Sequence, residues 1–122
     1  MQRQTNQRAA IEDCLHAAPH PMSLDELLQA ARSQAPGLGI ATVYRNLKRM
    51  VEEGAVVPVV LPEEPARYEL AGKGHHHHFR CRLCHKVYDI PACIGDLGHL
   101  LPEGFRLEAH EILLFGLCRA CA

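Results

Sequence analysis

Two pairs of cysteines are the residues best suited to chemistry in this sequence of 122 residues. The pairs are Cys81-x-x-Cys84 and Cys118-x-x-Cys121, and together they supply the four thiolates of a closed, tetrahedral structural Zn²⁺ site. The 33 residues between the pairs exceed the usual spacing of zinc ribbons, so tertiary folding must bring them together. A redox-active CxxC or an iron–sulfur cluster would use the same motif. Two complete pairs in so small a domain favour zinc.

A run of four histidines, His75-His76-His77-His78, precedes the first cysteine pair. Side chains of an extended chain point alternately to opposite faces. His75 and His77 are therefore expected on one face, and His76 and His78 on the other, so that one segment serves two metal sites. The alternative is a solvated polar loop. Other residues that could complete two metal sites favour the first interpretation: Glu69, Asp89, Cys93 and His110.

Composition sets bounds on the class of protein. Seven of the nine histidines lie after residue 74, which predicts an ordinary helical part followed by a metal-rich part. No apolar run is long enough to span a membrane and no secretory signal precedes residue 20, so a cytoplasmic protein with metal-binding cysteines is expected. Residues 1–62 contain six basic and six acidic side chains, so any DNA binding must depend on a local patch.

Three helices are predicted in the first part of the chain. Thr5 is the predicted N-cap of the first helix, which ends before Pro19. Ser23 and Glu26 have the spacing of a capping box at the start of the second helix. A third helix, Ala41–Gly54, has apolar residues at helical spacing and a glycine at its end.

The next two segments predict a β-hairpin, because Val56–Leu61 is rich in β-branched residues and Arg67–Leu70 can return as its partner. Three helices and a hairpin form a winged helix, whose third helix is the candidate reader of the DNA major groove. Periodicity alone equally allows a small helical bundle without a DNA role.

The second part predicts a small α+β domain. We expect strands at Phe79–Arg82, Lys86–Ile90 and Ala109–Phe115, and a helix at Ile94–Leu101. The predicted organisation is a winged-helix domain, a hinge and a metal-binding domain, at residues 1–70, 71–74 and 75–122.

Three motifs together resemble the ferric uptake regulator family. They are A-T-V-Y-R-N-L at Ala41–Leu47, the histidine run before C-x-x-C, and the G-L-C-x-x-C that ends at Cys121. The resemblance extends over nearly the whole chain, from T-N-Q-R at Thr5–Arg8 onward. It implies a homodimeric, metal-activated repressor, in which a winged helix-turn-helix domain precedes a small α/β dimerisation domain with a four-cysteine zinc site.

The resemblance also implies roles for single residues. Tyr44 and Arg45 match recognition-helix positions that contact bases and phosphates, and Thr42 and Lys48 match backbone contacts. The structural zinc ligands would be Cys81, Cys84, Cys118 and Cys121.

Two further ligand sets follow from the same resemblance. The regulatory site at the hinge would use Glu69, His76, His78, Asp89 and His20. A second site in the dimerisation domain would use His75, His77, Cys93 and His110.

This sequence departs from the family at three places. His20 is displaced by one residue, with Pro21 at the expected position. Cys93 stands where a glutamate is usual, and its softer donor favours zinc over iron. The chain is expected to begin at the family's second helix, without the leading one.

The sequence thus predicts a metal-responsive repressor of metal-uptake genes, with structural Zn²⁺ and with regulatory Zn²⁺ or Fe²⁺. Zinc sensing is favoured over iron sensing, and peroxide sensing is disfavoured because Glu69 stands where an aspartate would be needed. The expected partners are palindromic double-stranded operator DNA and a second copy of the chain, with no membrane and no small organic substrate. A zinc-dependent hydrolase and a metal-storage protein are the rivals from other classes. The hydrolase would need an open coordination position, and the chain has no H-E-x-x-H motif.

Overall fold

The computed structural model describes the backbone of residues 2–122 and the side chains from residue 6 onward. The chain divides into two compact units, the first ending at Lys73 and the second spanning Gly74–Ala122. No helix within residues 2–122 is long and apolar enough to cross a bilayer. The first unit consists of α1 (Gln2–Ala17), α2 (Leu24–Ala31), α3 (Ile40–Glu52), β1 (Val56–Leu61) and β2 (Glu64–Leu70).

Local sequence explains most boundaries of the three helices. The capping box of α2 is present, since the Glu26 amide donates to Ser23 Oγ at 3.1 Å and the Ser23 amide to Glu26 Oε1 at 3.0 Å. Gly54, with φ of 80°, lets the chain leave α3 in the left-handed region, and the Ala55 amide reaches back to the Met50 carbonyl at 2.9 Å. The predicted N-cap at Thr5 is wrong, because α1 begins at Gln2 and Thr5 lies inside it.

The hairpin of β1 and β2 is antiparallel, with Val56 opposite Leu70. The second strand begins at Glu64, three residues earlier than predicted, after a tight turn in which Glu63 has φ of 60°. Met22 and Tyr68 exchange backbone hydrogen bonds of 2.9 and 2.8 Å, so an isolated β-bridge joins the α1–α2 loop to the hairpin. Three helices closed by this hairpin make a winged helix.

One apolar core holds the first unit together. Ile11 of α1, Leu27 of α2 and Leu47 of α3 are each 0% exposed, and Val56 of β1 is 2% exposed. The apolar side chains of α3 lie on one side of the helix and pack into this core, so the opposite side of α3 faces solvent.

The second unit contains a three-stranded mixed sheet. Its strands are β3 (His77–Cys81), β4 (Val87–Ile90) and β5 (Leu113–Gly116), in the order β4-β3-β5. The pairing of β3 with β4 is antiparallel and that of β3 with β5 is parallel. Because β3 and β5 are parallel, the residues just before β3 lie at one end of this strand pair. The residues just after β5 lie at the other end.

The helix predicted at Ile94–Leu101 is not formed. The segment is irregular apart from one 3₁₀ turn at Gly98–Leu100. Gly95 has φ of 94°, which a right-handed helix cannot include, and Pro91 and Pro102 bound the segment. The predicted strand at Ala109–Phe115 is shorter than expected and begins at Leu113.

Candidate metal centres and DNA-binding face

The four cysteines of the two CxxC pairs converge at one end of the second sheet. Cys81 ends β3, and Cys118 and Cys121 follow β5. All four Sγ atoms lie within 4.8 Å of one another, and those of Cys84 and Cys118 are 3.8 Å apart. Two thiolates bound at about 2.3 Å to one tetrahedral Zn²⁺ would be about 3.8 Å apart. The donor set and its spacing therefore fit a zinc ion.

Hydrogen bonds favour thiolates within this group, which we call the four-cysteine cluster. The backbone amides of Cys84 and Cys118 point at Cys81 Sγ, at 3.5 and 3.4 Å, and mainly by these bonds lower the pKa of Cys81 to about 5. The Tyr88 hydroxyl lowers the pKa of Cys118 in the same way. Cys121, in contrast, donates to Cys118, which raises the pKa of Cys121 to about 12. The cluster thus concentrates negative charge where a divalent cation would sit.

A second group of donors comes from His76, His78 and Asp89. His78 and Asp89 are register partners on β3 and β4, and the Nε2 atoms of His78 and His76 lie 3.5 and 3.9 Å from Asp89 Oδ1. His76 Nδ1 is 2.8 Å from the Gly74 carbonyl oxygen, to which only a protonated nitrogen can donate. In the neutral ring, the lone pair is then on Nε2, on the side of Asp89. This is the tautomer that a metal ligand needs.

The remaining two residues of the predicted regulatory set belong to the first unit. Glu69 lies on β2, is 4% exposed, and has Oε2 3.4 Å from the Lys73 ammonium. His20 lies between α1 and α2, and its Nδ1 is 2.9 Å from the Pro21 carbonyl oxygen, so its neutral ring also carries the lone pair on Nε2. The roles of Glu69 and His20 as ligands stay predictions.

His75, His77, Cys93 and His110 form the third group, which we call the second cluster. Their candidate ligand atoms all lie within 4.8 Å of one another. Cys93 Sγ is 3.3 Å from both His77 Nε2 and His110 Nε2, and His75 Nε2 is 3.2 Å from His110 Nε2. Burial, and then the neighbouring histidines, lower the pKa of His77, which favours its neutral form.

The histidine run divides between these groups in the alternating way that the sequence predicts. His75 and His77 belong to one group, and His76 and His78 to the other. The regular strand begins only at His77, so an extended but irregular segment continues the alternation of β3 by two residues.

The solvent-facing side of α3 carries the predicted DNA-binding residues. Tyr44 is 51% exposed, and Arg45 and Lys48 are also exposed. Arg45 donates from Nη2 to Thr42 Oγ1 at 3.1 Å, which holds its guanidinium near the start of the helix. Since Val43, Leu47 and Met50 bury the opposite face, these side chains are positioned to reach a ligand outside the fold.

Two contributors to these centres were missed by sequence reasoning. Tyr88 borders the four-cysteine cluster, and its contact with Cys118 raises the Tyr88 pKa. The backbone amide of Ile112 donates to His77 Nδ1 at 3.1 Å. A contact made by a backbone amide leaves no pattern in the side chains, so the role of Ile112 could not be predicted. Tyr88 could have been found, because it is next to the candidate ligand Asp89 on a predicted strand and therefore points to the opposite face.

Comparisons with known proteins extend across both units. The model of the ferric uptake regulator family matches residues 2–115. The ferric uptake regulation protein of Campylobacter jejuni is 31% identical over 122 residues, covering 96% of this chain and 78% of that protein.

Two solved structures have a similar fold. One is the Helicobacter pylori ferric uptake regulator Fur, for which three functional metal-binding sites are described. It has a TM-score of 0.76 at 24% identity, with 94% of this chain and 79% of that chain covered. The other is FurB from M. tuberculosis, a zinc uptake regulator. It has a TM-score of 0.55 at 31% identity, with 99% and 96% covered.

Proposed function

Because the chain belongs to the ferric uptake regulator family, and is thus a metal-responsive transcriptional regulator and not an enzyme, we propose that it is a zinc-sensing repressor of metal-uptake genes. In this proposal it acts in the cytoplasm as a homodimer on palindromic operator DNA. The observation that carries the proposal is the supply of three separate donor groups, one of thiolates and two rich in imidazole.

The choice of zinc rests on the chemistry of the donors. Four thiolates suit zinc, and Cys93 adds a soft donor to three imidazoles in the second cluster. The similarity to FurB, a zinc uptake regulator, supports the same choice. Iron sensing is the alternative, since the C. jejuni relative is a ferric uptake regulation protein of the same percentage identity. Glu69 in place of an aspartate argues against peroxide sensing.

The proposed switch uses ligands from both sides of residues 71–74. His76, His78 and Asp89 already share one group, with the His76 lone pair directed to Nε2, and we assign Glu69 and His20 of the first unit as their partners. A bound cation would supply the bonds that link these side chains. Such a link would restrict the position of each α3 in the dimer. Two recognition helices must match half-sites about one helical turn, ~34 Å, apart.

Metal and operator would then assist each other, because a coupling free energy between two binding sites is reciprocal. Protons compete with the metal for imidazole nitrogens, so the response should weaken as the pH falls below about 6.5, where free imidazole protonates.

The test is operator binding measured against buffered free zinc, iron and manganese, for the wild type and for four single variants. His76→Ala and His78→Ala should lose metal-dependent binding, while the zinc of the four-cysteine cluster and the dimer persist. His75→Ala and His77→Ala serve as matched controls, since they change the metal concentration needed or the dimer stability but retain a response. A response to iron at lower free concentration than to zinc would contradict the zinc assignment. Four curves without this alternate grouping would contradict the two-cluster assignment.

A further inference from the structure

His77 stands apart from the other histidines of the metal centres because of what faces its Nδ1. The backbone amide of Ile112 lies 3.1 Å from that nitrogen, and an amide can only donate. Nδ1 therefore accepts, and in a neutral ring the single proton is on Nε2. The His77 side chain is 3% exposed, so water does not replace this partner.

This arrangement is the reverse of the one that a zinc-bound imidazole needs. A histidine that binds metal through Nε2 carries its proton on Nδ1 and donates it to a carbonyl or carboxylate oxygen. His76 has that arrangement, with Nδ1 2.8 Å from the Gly74 carbonyl oxygen. For His77 to bind through Nε2, a protonated Nδ1 would face the donor of Ile112.

The Nε2–H of His77 has a ready acceptor in Cys93. The two atoms are 3.3 Å apart, a normal distance for N–H donation to sulfur, and the amide of Gly95 approaches the same sulfur at 3.5 Å. Two N–H groups therefore lie within hydrogen-bond distance of this one sulfur.

The other three donors of the second cluster lie within 4.8 Å of one another and could share one metal ion without His77. His75 Nε2 and His110 Nε2 are 3.2 Å apart, and His110 Nε2 and Cys93 Sγ are 3.3 Å apart. Ligand atoms at zinc bond lengths in a tetrahedron are about 3.3–3.6 Å apart, depending on whether nitrogen or sulfur is involved. Cys93 and His75 are also exposed, so an external ligand can reach a metal bound there.

We propose that His77 is a hydrogen-bond donor to the Cys93 sulfur and not a metal ligand. A metal in the second cluster then has three protein ligands, His75, Cys93 and His110, and a fourth position filled by water or another small external donor. The inference rests on the proposed function, in that the second cluster must bind metal. It takes His77 out of the ligand set that the family resemblance implies.

Glutamine substitutions distinguish the two roles. Glutamine at position 77 can accept from Ile112 through its carbonyl oxygen and donate to Cys93 through its amide, but it offers no imidazole lone pair. The measurement uses a background that carries His76→Ala and His78→Ala, so that only the second cluster and the four-cysteine cluster can bind zinc. In this background, His77→Gln should lower the zinc affinity of the second cluster by less than about tenfold. Loss of a hydrogen-bond partner of a metal ligand usually lowers metal affinity by about tenfold or more. His75→Gln and His110→Gln should each lose more than that. A loss in His77→Gln equal to that in His110→Gln would overturn the inference.

NMR of the same background, loaded with ¹¹³Cd and labelled with ¹⁵N-histidine, gives a direct reading. We expect scalar coupling of cadmium to His75 and His110, and a proton on Nε2 of His77. Coupling of cadmium to His77 would overturn this inference and leave the proposed function intact. If no cadmium binds outside the four-cysteine cluster, the second cluster is not a metal site, which overturns that part of the proposed function and this inference with it.

Discussion

The two units of this chain are stabilised by different means. In the first, residues from all three helices and from β1 form one apolar core, with side chains such as Ile11, Leu27 and Leu47 fully buried. In the second, the buried side chains among the described residues are His77, Cys81, Val87 and Cys118. Cys81 and Cys118 belong to the four-cysteine cluster and His77 borders the candidate ligands of the second cluster, so the interior of the second unit is largely polar and sulfur-containing.

The second unit also leaves large apolar side chains in solvent. Leu100 and Phe105 are each 68% exposed, and Phe115 on β5 is 58% exposed. A small domain without an adequate core usually needs a metal or a partner chain. We therefore expect the second unit to depend on bound metal and on a partner chain, whereas the first has an apolar core of its own.

The strongest test of this difference removes one ligand of the four-cysteine cluster. Cys81→Ser should cause loss of the tightly bound zinc and of the dimer. Binding of structural zinc is worth about 10–16 kcal/mol in small zinc domains and is coupled to folding. Metal analysis and analytical ultracentrifugation measure both effects. Cys14→Ser, which changes a half-buried cysteine of α1, is the control and should keep the zinc. A Cys81→Ser protein that retains zinc and dimer would show that the second unit does not depend on this cluster.

A core substitution should damage the first unit and spare the second. Leu47 is 0% exposed at the centre of α3, so Leu47→Ala should cost about 2–5 kcal/mol through lost burial and a cavity. Thermal unfolding followed by helical circular dichroism measures the loss, while zinc content should stay at the wild-type level. Simultaneous loss of zinc would mean that the two units unfold together, and the comparison would no longer hold.

The first unit was the more predictable from sequence, for physical reasons. Helix caps and apolar stripes are local signals, and the capping box at Ser23 and Glu26 and the helix end at Gly54 are confirmed. The start of α1 was misplaced because Thr5 has the right chemistry for a cap but lies inside the helix.

The second unit was predictable in its chemistry and less so in its backbone. Cysteine spacing indicated the four-cysteine cluster, and alternation along the run separated His76 from His77. The helix expected at Ile94–Leu101 fails because apolar spacing cannot reveal that Gly95 adopts a positive φ. The tautomer of His77 depends on the amide of Ile112, which becomes its neighbour only when β5 pairs with β3. Such contacts arise from tertiary structure and leave no mark in local sequence.

A substitution on the exposed face of α3 should lower DNA binding by the first unit without lowering its stability. Arg45→Ala should cost about 1–3 kcal/mol of operator affinity if the guanidinium contacts a base edge. It should leave the melting temperature unchanged, because Arg45 is exposed and its hydrogen bond to Thr42 is local. Gln29→Ala, at an exposed position of α2, is the matched control. Unchanged affinity of metal-loaded Arg45→Ala protein would remove this residue from the proposed DNA-binding face.

The smallest expected effect probes how finely the four-cysteine cluster is adjusted. The Tyr88 hydroxyl donates to Cys118, which lowers the pKa of that thiol and raises the pKa of Tyr88. Tyr88→Phe removes only this hydroxyl, so zinc affinity should fall slightly, by about the net effect of one hydrogen bond. Zinc competition with a chromogenic chelator measures this change. Tyr68→Phe, a half-buried tyrosine of the winged helix, is the control and should have no effect on zinc.

Because the sign of the Cys118 shift favours its thiolate, loss of the hydroxyl should matter more as the pH falls and protons compete for the sulfur. If Tyr88→Phe and the wild type bind zinc equally well as the pH is lowered, the Tyr88 hydroxyl does not stabilise the thiolates. The backbone amides at Cys81 would then be their main hydrogen-bond donors.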